Sequence, residues 1–317
     1  MPRLSSGAFL PSRESVGNPV DAIRLATPPL PRPRHASPRT FGFALVELLV
    51  VMAIVGTLSG LLLTAVSQVR EAGRRLQCSN NIKQATLGVC TYQAAQRSFP
   101  PGKEAAPAGA ALPGGTEHAW SSFILPQIEE QAIASRIDYL ARWDAPGENS
   151  TAASRTIRTY ICPSGLLTFP GKQDYGGIAG TYIIPSGMEQ PASGPHSSGT
   201  LIPVVSLGRR GVLPSEVLDG LSSTLLVAES VDRGRPPGWS GGGPDHLPWA
   251  WGANVIYQNA PFINARDEQG IRSNHIGGAF GAFADGHCRF LDENLDADVL
   301  AAICTRSGGE LNTGGAN

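Results

Sequence analysis

Charge is scarce in this chain: Asp, Glu, Lys and Arg make up 16% of it, against about a quarter in an ordinary soluble domain. That excludes a solvated polyelectrolyte. Neither sign dominates. The formal net charge is −1, so the bulk balance calls for no nucleic-acid partner, and none is expected. Gly and Pro are plentiful, 38 and 26 of 317 residues, but fall short of a disordered composition. The length leaves room for one sizeable domain plus an anchor, or for two small domains.

The charge that is present is placed unevenly. Residues 1–42 carry Arg3, Arg13, Arg24, Arg32, Arg34 and Arg39 against Glu14 and Asp21, a net of +4, which leaves −5 for the rest. This basic, Pro-rich head has no apolar periodicity and is assigned no fold. Placed before an apolar run, it has the character of a leader. Leu48 to Val66 is then 19 residues without a charge; as a helix it spans about 28 Å, close to the hydrocarbon thickness of a bilayer. A secretory signal is shorter and ends in a small-residue cleavage site, for which Ala65-Val66-Ser67 would pass. Against that reading stands Glu47 at the lip of the run, where an uncompensated carboxylate costs on the order of a few kcal/mol.

Gly42-Phe43-Ala44-Leu45-Val46-Glu47-Leu48-Leu49-Val50 resembles the processing site of type IV prepilins. The resemblance implies that a membrane-embedded prepilin peptidase cuts between Gly42 and Phe43 and methylates the new N-terminal Phe43, leaving Glu47 as the fifth mature residue. The new amine and the Glu47 carboxylate are opposite charges in a low-dielectric layer. Pairing them between neighbouring subunits would offset their desolvation and set a stagger. The leader is long for this class. Flanking charge does not orient the span, because Arg24, Arg32, Arg34 and Arg39 before it are matched by Arg70, Arg74, Arg75 and Lys83 after it. The processing motif puts the leader in the cytoplasm and residues beyond the span outside.

Past the span, Cys78, Ile82, Ala85, Val89 and Tyr92 step by four and three, one apolar stripe of a continuing helix. Phe99-Pro100-Pro101-Gly102 ends it, since Pro removes a donor and restricts its predecessor. The division expected is therefore a leader over 1–42, a helix over 43–98 (43–66 in the membrane, 67–98 as a stem) and an outer domain over 99–317. In that domain a helix is expected after Pro126, with Ile128, Ala132 and Ile137 on one side. Short β runs are expected at Thr156–Cys162, Gly180–Ile184, Leu201–Leu207 and Ser223–Ala228. Ala279–Ala284 and His287–Leu291 form a hairpin about a two-residue Asp285-Gly286 turn. That register sets Phe283 beside Cys288 and Gly281 beside Phe290, with Phe280 and Leu291 on the opposite face. Asp296 caps a last helix, Ala297–Cys304.

The order of blocks extends the resemblance. Cys78-Ser79-Asn80-Asn81-Ile82-Lys83-Gln84, Phe99-Pro100-Pro101-Gly102, Leu125-Pro126-Gln127-Ile128-Glu129 and Ile161-Cys162-Pro163-Ser164 are followed by Asp219-Gly220-Leu221-Ser222-Ser223-Thr224 and by His275, nine residues, Asp285-Gly286. Over roughly 41–310 the chain resembles a bacterial family with a prepilin-type N-terminus and a C-terminal His-x(9)-Asp-Gly motif. That family is catalogued as a domain of unknown function, sometimes under a solute-binding label. The resemblance implies a pilin-like or pseudopilin-like envelope protein and supplies no reaction. Cys90, where such proteins often have His, and Cys288, in a hairpin that is usually cysteine-free, depart from the pattern.

Chemical candidates are few. Gly238-Trp239-Ser240-Gly241-Gly242 fits a nucleophile elbow in spelling, but Pro and Gly on both sides deny it the strand and helix it needs. His275, Asp285, His287 and Cys288 could suggest a metal cluster. In the expected hairpin His275 lies too far from His287 and falls opposite Asp296, so an ion pair closing the hairpin base is expected instead. Asp292, Asn294, Asp296 and Asp298 have the spacing of early calcium ligands. They lack Gly at the sixth position, which is Ala297, and Glu at the twelfth, which is Ile303, and helix capping accounts for Asp296 and Asp298. Of five cysteines, Cys78 and Cys90 sit about 18 Å apart on one helix and cannot bond each other. A Cys78–Cys162 bridge would staple the stem to the sheet; buried free thiols are the alternative.

The expectation is an α+β, pilin-like protein: a long N-terminal membrane-spanning helix, then an antiparallel β-sheet domain with short helices. It is read as a structural subunit and not an enzyme, with no cofactor. Its expected place is the inner or cytoplasmic membrane, single-pass, with the C-terminal domain outside. Prepilin peptidase, the membrane and copies or relatives meeting it through residues 43–66 are its expected partners. The alternative is an anchored solute- or glycan-binding protein using Trp239, Trp249 and Trp251. An extracytoplasmic hydrolase has no convergent nucleophile, base and orienting acid.

Overall fold

The structure is a computed structural model and describes residues 45–104, 116–184, 197–204, 211–232, 248–265 and 270–308. It opens with one helix, α1 (Leu45–Gln96), of 52 residues. Leu58–Asn317 make one compact unit, and residues up to Thr57 another, whose described part is helix. From 45 to 70 every position of α1 is exposed, and this half is long and apolar enough to cross a membrane. From Cys78 onward one face turns inward: Cys78, Ile82, Ala85 and Val89 are fully buried and Tyr92 half-buried, the expected stripe. Gly88 lies on the same face. A Cβ there would sit 2.7 Å from Ile128 Cγ2, so the missing side chain is what lets the Leu125–Ile128 turn close on the stem. α1 stops at Gln96, where Arg97 takes φ 62°.

The remaining elements are β1 (Lys103–Glu104), α2 (Trp120–Phe123), α3 (Gln131–Ala134), α4 (Glu148–Ala153), β2 (Tyr175–Thr181), β3 (Ser197–Ser198), β4 (Pro203–Val204), β5 (Leu225–Glu229), β6 (Val255–Gln258), β7 (Gly278–Phe283), β8 (Cys288–Asp292) and α5 (Ala297–Ile303). The fold is α+β. Its main sheet runs β3-β2-β5-β7-β8, with β6 on β2; β1 and β4 pair separately. Gly177 pairs with both Val227 and Val255, and Gly180 with both Ser198 and Tyr257. One edge of β2 therefore carries β6, and the other is shared by β5 and β3. The β2–β6 pair is parallel, so the sheet is mixed where a purely antiparallel one was expected.

Two apolar clusters flank the sheet. On the stem side, the α1 stripe packs with Trp120, Ile124, Tyr160, Tyr175, Leu226 and Val227. On the far side, Ile178, Leu225, Ala228, Ile256 and Phe283 pack with Leu300, Ala301 and Ile303 of α5. Asp296 caps α5, accepting from the backbone N–H of Asp298 and Val299. The apolar residues of that helix face the sheet because the cap fixes where its first turn begins.

Several expected elements are displaced. Thr156–Cys162 holds a short 3-10 turn, Arg158–Tyr160, in place of a strand. The helix after Pro126 breaks into a 3-10 turn and α3, because Glu129 adopts φ 66°, outside the helical region. Residues 205–207 and Ser240 with its glycines lie outside the described residues. The hairpin is shifted by one. Phe283 N–H donates to His287 O, and Ala282 pairs with Cys288, Phe280 with Phe290 and Ala279 with Leu291. Its loop holds three residues, Ala284-Asp285-Gly286, with Gly286 at φ 94°, the left-handed position of a three-residue turn. A slip of one exchanges the two faces. Phe280 and Phe290, expected apart, meet edge to face at 5.0 Å. β7 is buried, while β8 is the half-covered last strand of the sheet.

Cys78 on α1 is bridged to Cys162 across 84 residues of sequence; Cys90, Cys288 and Cys304 are free thiols. Burial pushes Cys304 up to about 12 and Cys288 up to about 11, which keeps both protonated and unreactive. Closing a loop of that length restricts the unfolded chain. Replacing both bridged cysteines by Ser is therefore expected to lower the unfolding free energy by about 2–5 kcal/mol. Urea midpoints check this: wild type and variant should differ when oxidised and converge under a reducing agent.

Candidate functional site

Three stretches far apart in sequence meet beside the stem where it first turns inward. α1 contributes Glu71, Arg75 and Cys78, four and three residues apart and so on one face. The loop after the Arg158–Tyr160 turn contributes Cys162 and Ser164, and the segment before β7 contributes His275. Its ring is fully buried, and Nδ1 lies 2.7 Å from Glu71 Oε1 and 3.4 Å from Ser164 Oγ. On its other side Nε2 lies 3.7 Å from Cys162 Sγ and 3.7 Å from Glu229 Oε1. The rim of Phe280 closes the site edge-on at 6.0 Å.

The loops that hold His275 are themselves fastened. Asn81 Nδ2 donates to Ile161 O at 2.7 Å, and Tyr175 Oη to Cys78 O at 3.3 Å. Asp174, fully buried, accepts from Cys162 N–H at 2.9 Å and faces Lys172 Nζ at 3.2 Å. Lys172 also reaches Asp232, at 3.0 Å. Asp232 caps the N–H groups of Leu166 and Leu167 and takes a bond from Asn274, which also donates to Ser164 O. Burial pushes the Asp174 carboxyl up, with Lys172 and the two backbone donors opposing it. A buried pair of this kind is worth little alone; here its return is the position of the loop.

Two carboxylates face the imidazole from opposite sides with opposite character. Burial pushes Glu71 up, but hydrogen bonds from His275 and Arg74 outweigh it and hold Glu71 below the usual carboxylate range. Glu229 ends β5 in the core. Burial raises it to about 7 against hydrogen bonds from Phe280 N–H and the Ser273 side chain; its Oε2 accepts from Phe280 N–H at 2.7 Å. Arg75 donates to Ile276 O and lies 4.7 Å over the Phe290 ring.

His275 is thus not paired with Asp296, as the two-residue turn required; with the one-residue shift that pairing no longer exists. Asp285 binds His287 Nδ1 at 2.6 Å, and His287 stacks on Phe283. The Asp285-Gly286 turn seats on the Leu221–Thr224 loop through Asp285 N–H to Leu221 O and Ala284 N–H to Thr224 O. It also sits against Cys90, whose Sγ is 3.9 Å from Ala284 O. The two ends of the His275–Gly286 segment therefore grip α1 at Glu71 and at Cys90. Between those two grips β7 (Gly278–Phe283) and the turns at its ends accompany nineteen residues of stem, a rise of about 28 Å.

Sulfur, nitrogen and oxygen atoms of Cys78, Cys162, His275 and Glu229 lie within 4.8 Å of one another. That is a donor set for a soft divalent ion, but the bridge uses both sulfurs. Asp292 and Asp296 of the calcium candidate turn their carboxylates to backbone N–H groups of Asn294, Asp298 and Val299. Glu47 is exposed in the first turn of α1, and Gly42 and Phe43 lie outside the described residues. Trp249 and Trp251 are buried, Trp249 bonding Arg155 O and Trp251 stacking on Trp143. They offer no face to a sugar, and Trp239 is outside the described residues. From the sequence alone Glu71, Arg75 and Glu229 belong to no site, Arg75 counting only as a charge flanking the span. The spacing of the first two with Cys78, and an acid closing the apolar run Leu225–Glu229, were the available signals.

The chain thus pairs a helix long and apolar enough to cross a membrane with a mixed α+β domain stapled to that helix's second half. The chain belongs to the family described as "Protein of unknown function (DUF1559)", which matches residues 67–298. No curated protein and no solved structure matches it.

Because Glu229 is raised in the folded state, it binds a proton between its ordinary value of about 4.5 and about 7 that the unfolded chain releases. Stability from this group falls as pH rises through that window. The loss is on the order of 3 kcal/mol by pH 8. Glu229→Gln keeps an acceptor for Phe280 N–H and should flatten the fall. Urea unfolding at pH 5 and pH 8 should show the wild type losing stability relative to the variant.

Proposed function

We propose that the protein is a pilin-like structural subunit of the cell envelope, processed between Gly42 and Phe43 and anchored by residues 43–66. The observation that supports this is the unbroken exposure of residues 45–70 of α1, among them Leu48, Leu49, Ile54, Leu58, Leu61 and Leu62. An apolar surface of that extent is not kept in water; a bilayer, or the same helix of neighbouring copies, covers it. Among the described residues, the buried positions of α1 all lie between Cys78 and Val89. Glu47 then meets the methylated amine of an adjoining subunit. Residues beyond the span lie outside the cytoplasm, where a structural disulfide persists.

Intact-mass and N-terminal analysis of the mature protein should find a methylated Phe43. A start near Ser67, with water-soluble protein, overturns the reading. Glu47→Ala should be processed normally yet fail to enter assemblies, measured as loss of sedimentable, cross-linkable multimers with monomer levels maintained.

A further inference from the structure

Among the described residues, the domain's contacts with α1 begin at Glu71, and two exposed apolar tips are fixed at that level. Leu166 is 83% and Leu167 42% exposed; Ile276 is 81% exposed. Neither tip is a loose loop. The N–H groups of Leu166 and Leu167 are both held by Asp232, at 2.7 and 2.9 Å, and Arg75 binds the Ile276 carbonyl. Asn274 ties the two loops together through Ser164 O and Asp232. Leu166, Asn274, Glu71 and Arg74 line one open cleft of about 460 Å³. Holding large apolar side chains rigidly in water gains nothing, so what covers them is the question.

Position along the stem answers it. Val66 closes the uncharged run, and Glu71 follows five residues later, a rise of about 7.5 Å. The polar headgroup layer outside the hydrocarbon is itself roughly 5–7.5 Å deep on each side. The tips therefore reach the layer where partly buried Leu and Ile side chains reside in membrane-surface segments, and the modest tilt usual for a single span brings one side of the domain closer still. Arg70 and Arg74, on the same turn of α1, stand at headgroup height with the tips.

We propose that Leu166, Leu167 and Ile276 form a second membrane contact, dipping into the headgroup layer of the bilayer that α1 crosses and fixing how the domain stands on it. The proposal rests on the anchor reading above. A second copy of the chain covering the same tips is the competing occupant; continuity with the end of the span favours lipid.

The test uses the full-length protein in vesicles of phosphatidylcholine and phosphatidylglycerol, with nitroxide labels at L166C, I276C, L140C and L58C. Wild-type protein labelled in parallel subtracts the native thiols. Leu140 is comparably exposed, at 74%, but its neighbour Tyr139 lies close to Tyr92, far up the stem. Positions 166 and 276 should collide with oxygen in preference to a water-soluble nickel chelate, with a ratio several-fold above that at 140. Ratios equal to that at 140, with position 58 still lipid-exposed, overturn the contact and leave the anchor standing. Shielding of 166 and 276 from both reagents means a protein neighbour and also overturns it. Nickel contact at 58 sinks anchor and contact together.

Discussion

The hydrogen bond between Glu71 and His275 marks the point on α1 where helix left bare by the domain gives way to covered helix. Above it the disulfide and the apolar stripe from Cys78 to Tyr92 follow along α1; below it no described residue covers the helix. His275 is buried and polar, and a buried imidazole needs partners on both ring nitrogens. The stem supplies one from Glu71, and the end of β5 faces the other with Glu229. Helix and sheet are thus joined through a ring that neither element could hold without the other.

Burial gives the two carboxylates their different characters. Glu71 sits near solvent with two donors and remains charged, whereas Glu229 is closed into the core, where burial outweighs its donors Phe280 N–H and Ser273. A protonated Glu229 beside the bridged sulfurs costs little; an ionised one costs a great deal. The same burial raises the free thiols Cys288 and Cys304 and keeps them protonated.

Much of this architecture was legible in the residues. The apolar run, the stripe from Cys78 to Tyr92, the cap at Asp296 and the existence of the hairpin follow from periodicity and local hydrogen bonding. What failed was register. Two-residue and three-residue turns share the Asp-Gly spelling, and only the pairing of Phe280 with Phe290 beneath Arg75 decides between them. That single residue moved His275 from the hairpin base to the stem. Glu229 was hidden for a related reason, since nothing local in Leu225–Glu229 reveals which groups will close over its last side chain.

β8 closes the row of strands. Such a border normally invites another chain to add itself by backbone pairing. Here it is five residues long, carries Arg289 and ends on Asp292, with Arg75 leaning over Phe290. Short, charged borders discourage that kind of joining. Among the described residues this border is therefore a poor template for ribbon-like extension of the sheet by a further strand.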